Sequence, residues 1–146
     1  MTGTGAAFTP DDLCRVLQLS LTDEQLAAVT APAGPTVVVA GAGSGKTTVM
    51  SARVVWLVAT GVVSPDAVLG LTFTNKAAAE LSSRIRSALV AWGPVPEVGP
   101  TVATYHAYAA RLLREHGVRL GLEPGSQLLG EAARYQVAER VVRRAL

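Results

Sequence analysis

The hydrophobic positions of this chain change period along its length. Thr36 to Ala40 reads TVVVA, a continuous, mostly β-branched run with no polar alternation. Such a run predicts a strand buried on both faces. AVLGLTF at 67–73 and TVAT at 101–104 read as two further strands. Between and after them the apolar spacing lengthens to the helical period. One helix is predicted from near Gly45 to about Thr60, stopped by Gly61, and a long amphipathic one over NKAAAELSSRIRSALVAW, ended by Gly93-Pro94. YHAYAARLLREHG predicts a helix closed by Gly117, and GEAARYQVAERVVRRAL a last helix with no cap at its end. Upstream, Thr9 can cap a short helix with Pro10 at its first position and Asp12 in its first turn. Thr22 opens another helix in LTDEQLAAV, and residues 1–8 read as a loose tail. Residues 32–35 and 120–126 read as turns, and 93–100 as an irregular loop. Strands alternating with helices predict an α/β fold with parallel pairing and right-handed crossovers.

Composition narrows this picture only slightly. At 146 residues the chain has the length of about one domain. A net charge of +2 does not by itself indicate a nucleic-acid binder. The single cysteine, Cys14, cannot form an internal disulfide, which fits a reducing, cytoplasmic setting. With His106 and His116 it makes no metal-site spacing. The first residues have neither the basic nor the apolar region of a signal peptide. The run from Val54 to Ala59 is far too short to cross a bilayer, so no membrane role is expected.

The chemistry concentrates in AGAGSGKTT, Ala40 to Thr48. Gly41, Gly43 and Gly45 let the backbone wrap closely, so that successive N–H groups can point at an anion. The following helix start adds its positive dipole end. Lys46 would reach the β- and γ-phosphates of a nucleotide, and the Thr47 hydroxyl would hold Mg²⁺. The strict P-loop pattern begins with Gly, and here that position is Ala40. A bare glycine-rich turn would call for neither the lysine nor the hydroxyl.

Three other stretches bear on what the nucleotide drives. Gln25 precedes the P-loop strand and could pair with adenine N6 and N7. Thr22-x-x-Gln25 is also a capping box, and spacing alone favours the cap. Phe73, Thr74, Asn75 and Lys76 lie where a parallel strand hands over to a helix, the place where open α/β sheets meet their ligands. The alternative is a helix cap, Thr74 or Asn75, after a core Phe73. Tyr105 and His106 sit at the corresponding end of the third strand, where a rim aromatic and a surface histidine are the plainer reading. Aromatic and polar groups at two strand ends would suit single-stranded nucleic acid, held by stacking and backbone contacts.

LTDEQLAAV, AGAGSGKTT, GLTFTNKAAAEL and TYHAYAARLL, in this order and at these gaps, resemble the Q motif and motifs I, Ia and Ib of the UvrD/Rep class of superfamily 1 DNA helicases. VLGLTFTNKAAAEL with TYHAYAARLLREHGVRLGLEP most resembles AdnB-type helicase–nuclease subunits. The resemblance implies a partial RecA-like P-loop NTPase domain over 21–146, preceded by a tail and short helix over 1–20. It implies ATP and Mg²⁺ as cofactors, with Ala42, Gly43, Ser44, Gly45, Lys46, Thr47 and Thr48 around the phosphates. It also moves Gln25 from cap to adenine reader. Phe73, Thr74 and Asn75, with Thr104, Tyr105 and His106, are implied contacts to single-stranded DNA. The implied parent is an ATP-dependent 3′→5′ helicase acting in DNA repair or DNA-end processing. Its partners would be its remaining domains and a second helicase–nuclease subunit. The third motif often reads T-F-H-S in this class, and here Ala107 replaces the serine.

The class also needs a D-E-x-x segment at a strand end, and no aspartate follows Asp66. With the uncapped last helix, this predicts the N-terminal piece of a longer enzyme, able to bind nucleotide but not to turn it over efficiently. Two rival readings are a P-loop module that holds nucleotide without motor activity, and a small-molecule kinase. The kinase would need an Arg-rich lid that residues 93–130 do not clearly offer.

Overall fold

The computed structural model describes residues 7–93, 97–123 and 129–145. The expected tail residues 1–6, and parts of the expected loops at 94–96 and 124–128, lie outside them. The chain divides into two compact units, 1–104 and 105–146.

The first unit opens with α1, Pro10–Leu17, and α2, Asp23–Thr30. Each starts with a reciprocal capping box: Thr9 with Asp12, and Thr22 with Gln25. These boxes satisfy backbone donors that a helix start otherwise leaves open. Helix α3, Lys46–Ala59, follows a left-handed Gly45, and past its end Gly61 takes φ 72°. A 3₁₀ turn at Pro65–Ala67 leads to strand β1, Leu69–Thr72. Helix α4, Asn75–Trp92, crosses over to β2, Thr101–Thr104. The two strands pair in parallel, Leu69 opposite Thr101 through Thr72 opposite Thr104. The architecture is thus mixed helix and strand with a small parallel sheet.

The core of this unit is a helical seam. Leu13 of α1, Val29 of α2, Val49, Ala52 and Val55 of α3, and Leu81, Ile85, Ala88 and Leu89 of α4 form one buried cluster. On α4 the buried positions 78, 81, 85, 88 and 89 fall on one stripe at helical spacing. Gly70 of β1 lies beneath it: a Cβ there would meet Val102 at 3.5 Å and Leu81 at 3.7 Å. Strand and helix therefore pack closely at this point.

Two expectations are corrected. The segment 36–40 is not a strand. Its backbone joins no ladder among the described residues, and a β-branched run becomes a strand only where a partner pairs with it. Val37 and Val39 are 87% and 92% exposed rather than buried on both faces. The second correction concerns Phe8, expected in a loose tail. It is buried in the core, its ring 5.7 Å from that of Trp56 and edge-on to Trp92 at 4.4 Å. The strand expected over 67–73 is shorter than its apolar run, because the 3₁₀ turn takes its first residue and Thr74 caps α4 directly after it.

The second unit contains α5, Tyr105–His116, a 3₁₀ turn at Gly117–Leu120, and α6, Glu131–Ala145. Gly117 packs against Leu122, 3.3 Å from where a Cβ would stand. On α5, the hydrogen bond from Arg111 to Glu115 (2.7 Å) holds the Glu115 carboxyl below the usual carboxylate range. Among the described residues no helix is long and apolar enough to cross a membrane.

The contrast between Phe8 and Val37 can be tested by urea unfolding. Phe8→Ala should cost about 3–5 kcal/mol, as for a core aromatic. Val37→Ser should change stability by no more than about 0.5 kcal/mol, as for a surface site. A large loss for Val37→Ser would show that the segment is packed.

Candidate nucleotide site and adjoining strand ends

The loop from Ala40 to Gly45 is exposed except at Gly45, which is half-buried. Gly43 and Gly45 adopt φ values of 78° and 83°, in the left-handed region that side chains disfavour. The loop closes on itself through Ser44, whose hydroxyl donates to the Gly41 carbonyl at 2.8 Å. Helix α3 starts at once, with Val49 N–H donating to the Gly45 carbonyl at 3.0 Å. No side chain caps this helix start, and no acidic residue stands in its first turn. Its first N–H groups and its positive dipole end therefore suit an anion.

Lys46 folds back over the loop. Its ammonium donates to the carbonyls of Ala40 at 3.1 Å and Gly41 at 2.6 Å. Its charge is thereby held against the start of the turn it follows. Beside it lies an open hollow of about 350 Å³, lined by Val38, Val49, Met50 and Arg53 among others. Thr47 is exposed, and Thr48 is half-buried.

Gln25 is brought to this loop from α2. Its Oε1 accepts from Thr22 N–H at 3.1 Å, completing the capping box, and its Nε2 donates to the Ser44 carbonyl at 3.0 Å. The cap read from spacing is therefore present, and the same amide also touches the phosphate-type loop. A Cβ on Gly45 would stand 3.0 Å from Gln25 Nε2, so a side chain there would meet a tight contact as well as a disfavoured φ.

At the strand ends, Phe73 is 89% exposed. This removes the core alternative for its ring. The cap alternative for its neighbour holds: Thr74 Oγ1 accepts from Ala77 N–H at 3.1 Å. Asn75 and Lys76 follow, exposed, in the first turn of α4. On β2, Thr104 is buried, whereas Tyr105 (49% exposed) and His106 are exposed at the start of the second unit.

Two arginines belong to this neighbourhood without having been singled out by any motif. Arg53 of α3 donates to the carbonyls of Val29 (2.7 Å), Ala31 and Pro32 (2.9 Å), fastening the end of α2 to α3. A cation inside the apolar pattern RVVWLVA was its only signal. Arg84 of α4 pairs with Glu80 at 2.6 Å and reaches Thr48 Oγ1 at 3.5 Å. The i,i+4 pair is legible in sequence, but the reach to Thr48 depends on how α4 lies against α3. Among the described residues no cluster of three or more His, Cys, Asp or Glu could hold a metal ion.

Residues 21–145 match the family model described as the UvrD/REP helicase N-terminal domain. The chain is 40% identical over 123 residues to DNA helicase II of Haemophilus influenzae, covering 84% of this chain and 17% of the relative. It is 46% identical over 110 residues to the ATP-dependent DNA helicase UvrD2 of Mycobacterium bovis, covering 75% and 16%. It is 38% identical over 122 residues to the ATP-dependent DNA helicase PcrA of Leuconostoc citreum, covering 84% and 16%. The chain thus spans only 16–17% of the length of these relatives.

The loop geometry yields a paired test. Gly45→Ala places a side chain at positive φ and against Gln25, and should destabilise the protein by about 1–3 kcal/mol. Gly41→Ala, with nothing within 4 Å of its added Cβ, should stay within about 0.5 kcal/mol of wild type. Equal melting temperatures for the two variants would contradict this loop conformation.

Proposed function

We propose, since this chain belongs to the UvrD/REP helicase N-terminal domain family, that it is the ATP-binding part of an ATP-dependent 3′→5′ DNA helicase or translocase acting in DNA repair or DNA-end processing. The supporting observation is the left-handed Gly43 and Gly45 turning directly into an uncapped helix that begins with Lys46. In this reading the fold is part of a RecA-like P-loop NTPase domain. The backbone of Ala42 to Gly45, with Lys46, Thr47 and Thr48, holds the phosphates. The Thr47 hydroxyl would help hold Mg²⁺, which would supply positive charge against the phosphates. Gln25 contacts the adenine.

Phe73, Thr74 and Asn75, together with Thr104, Tyr105 and His106, are assigned to single-stranded DNA. An exposed aromatic ring at a strand end offers a face on which a base can stack. The remaining domains of the parent, and a second helicase–nuclease subunit, are the proposed protein partners. The chain by itself is proposed to bind nucleotide with turnover near background. No aspartate follows Asp66 to position water or metal. A nucleotide-holding module without motor activity is the second reading, and it shares the site.

Calorimetry with Mg-ATP and Mg-ADP tests the nucleotide site. Lys46→Ala should remove binding, or weaken it at least tenfold, because it deletes the one cation held on the loop. Equal binding by both proteins would sink the assignment. For DNA, Phe73→Ala in the longer parent should weaken oligothymidine binding by about 1–3 kcal/mol in fluorescence anisotropy. Its melting temperature should not change, given the exposure of that ring. Unchanged DNA affinity would remove Phe73 from the DNA interface.

A further inference from the structure

A second cation approaches the start of α3. Arg84 of α4 stands three residues after Leu81 and four before Ala88, so it lies along the buried stripe of its helix. That stripe packs into the same cluster as Val49 and Ala52 of α3, which carries Arg84 to the beginning of α3. Its Nη1 reaches Thr48 Oγ1 at 3.5 Å. This is the outer limit of a hydrogen bond, so the contact records position more than energy. Thr48 is the third residue of α3. The 40–45 loop is thus bracketed by two cations, Lys46 bonded at its first residues and Arg84 just past its end. Two nearby arginines are placed otherwise. Arg53 is committed to three carbonyls after α2, and Arg86 lines a different hollow with Leu89 and Val102.

Arg84 arrives with its own counter-ion. Its Nη2 donates to Glu80 Oε1 at 2.6 Å, one helical turn earlier. The two side chains are 43% and 49% exposed. A pair so exposed is weakly held, because water screens it and both side chains lose freedom in making it. A guanidinium carries five N–H groups in a planar fork that fits a phosphate as well as a carboxylate. A nucleotide phosphate chain bears more negative charge than one carboxylate, and it also meets the open N–H groups of the uncapped α3 start. Such a ligand can therefore draw Arg84 away from Glu80. The carboxylate opposes this twice: it holds the guanidinium, and its own charge repels the arriving anion.

We propose that Arg84 is a second phosphate-binding cation of the nucleotide site and that Glu80 is its internal competitor, so that a nucleotide takes Arg84 from Glu80 and binds more weakly for having to do so. This rests on the nucleotide reading above and adds regulation to that site. Affinity is then set by a carboxylate on a different helix as well as by the loop, and neutralising Glu80 tightens binding. The helix that supplies both groups begins at Asn75, directly after the strand end that carries the exposed Phe73.

The test is calorimetry with Mg-ATP on this chain as wild type, Glu80→Gln, Arg84→Gln and the double variant. Arg84→Gln should weaken binding roughly 3- to 10-fold, less than the loss of a buried charge-assisted bond because the group is partly exposed. Glu80→Gln should tighten binding roughly 2- to 5-fold, and this gain should vanish when residue 84 is also Gln. An equal gain in both backgrounds would mean that the carboxylate acts only through its field, and would overturn the proposal. Unchanged affinity in Arg84→Gln overturns it as well. A purely structural ion pair predicts a lower melting temperature and no gain of affinity from Glu80→Gln, and that result also counts against it. Should Arg84→Gln not fold, Arg84→Met keeps the packed stem without the charge and takes its place. Lys46→Ala separates this proposal from the reading beneath it. Lys46-dependent binding with no coupling between positions 80 and 84 overturns the competitor and leaves the nucleotide site standing. No Lys46-dependent binding at all overturns both.

Discussion

The apolar stripe of α4 is the constraint on which the first unit depends. Leu81 and Ile85 are almost completely buried, and burying each such side chain contributes about 1.5–3 kcal/mol. The helix packs against β1 and β2 and also against α1 and α3. Because the same helix packs on both, the strand end carrying Phe73 and the helix start carrying Lys46 are placed by one element. Small residues make this possible. Ala52 and Ala88 are fully buried within the cluster, and Gly70 admits Leu81 and Val102 to the strand backbone. Close-packed interiors feel a change of even one methylene, so these positions leave little room for larger side chains.

A second, polar link carries α2 into the site. Its last residues are followed by Ala31 in an extended conformation, not by a glycine that could fold the chain back onto the open carbonyls. Arg53 supplies the missing donors, and its charge also suits the negative end of the helix dipole. At the other end of α2 the positive pole carries Asp23 and Glu24 in its first turn, and Gln25 turns towards the loop. Helix α2 is thus fastened at both ends, by Arg53 to α3 and by Gln25 to Ser44. Sequence motifs mark the second fastening and not the first.

Local signals were read well from sequence, because caps, prolines and glycines act within a few residues. Thr9, Thr22, Thr74, Gly61 and Gly93 end or begin elements where their chemistry requires. The helix over 75–92 and the strand over 101–104 match their expected limits for the same reason. Signals that depend on a distant partner were read less well. Val37 to Val39 have the composition of a buried strand, but pairing is a property of two segments, and composition reports only one. Phe8 shows the reverse: a single aromatic in a Gly/Thr-rich start carries no periodicity, so its place against Trp56 and Trp92 could not be seen. The residues AGAGSGKTT singled out the 40–48 loop and Thr22-x-x-Gln25 the cap, and the structure added that the cap and a contact to that loop are made by the same amide.

The posture of Lys46 bears on how such a loop takes up a phosphate. Its ammonium already holds two carbonyl oxygens, at 3.1 and 2.6 Å. A phosphate arriving at the loop therefore exchanges charge–dipole bonds for charge–charge bonds, rather than capturing an uncommitted cation. The gain is the difference between the two, and it grows with the negative charge presented by the ligand. A triphosphate has more to offer in that exchange than a diphosphate or inorganic phosphate. The same carbonyls, from Ala40 and Gly41, also keep the loop folded while the lysine rests on them. Drawing Lys46 towards a ligand loosens the beginning of the loop, while the Gln25 amide and the Ser44 hydroxyl still hold its far end. On the proposed nucleotide reading, the response to ligand charge and the control of loop shape thus fall to the same few hydrogen bonds.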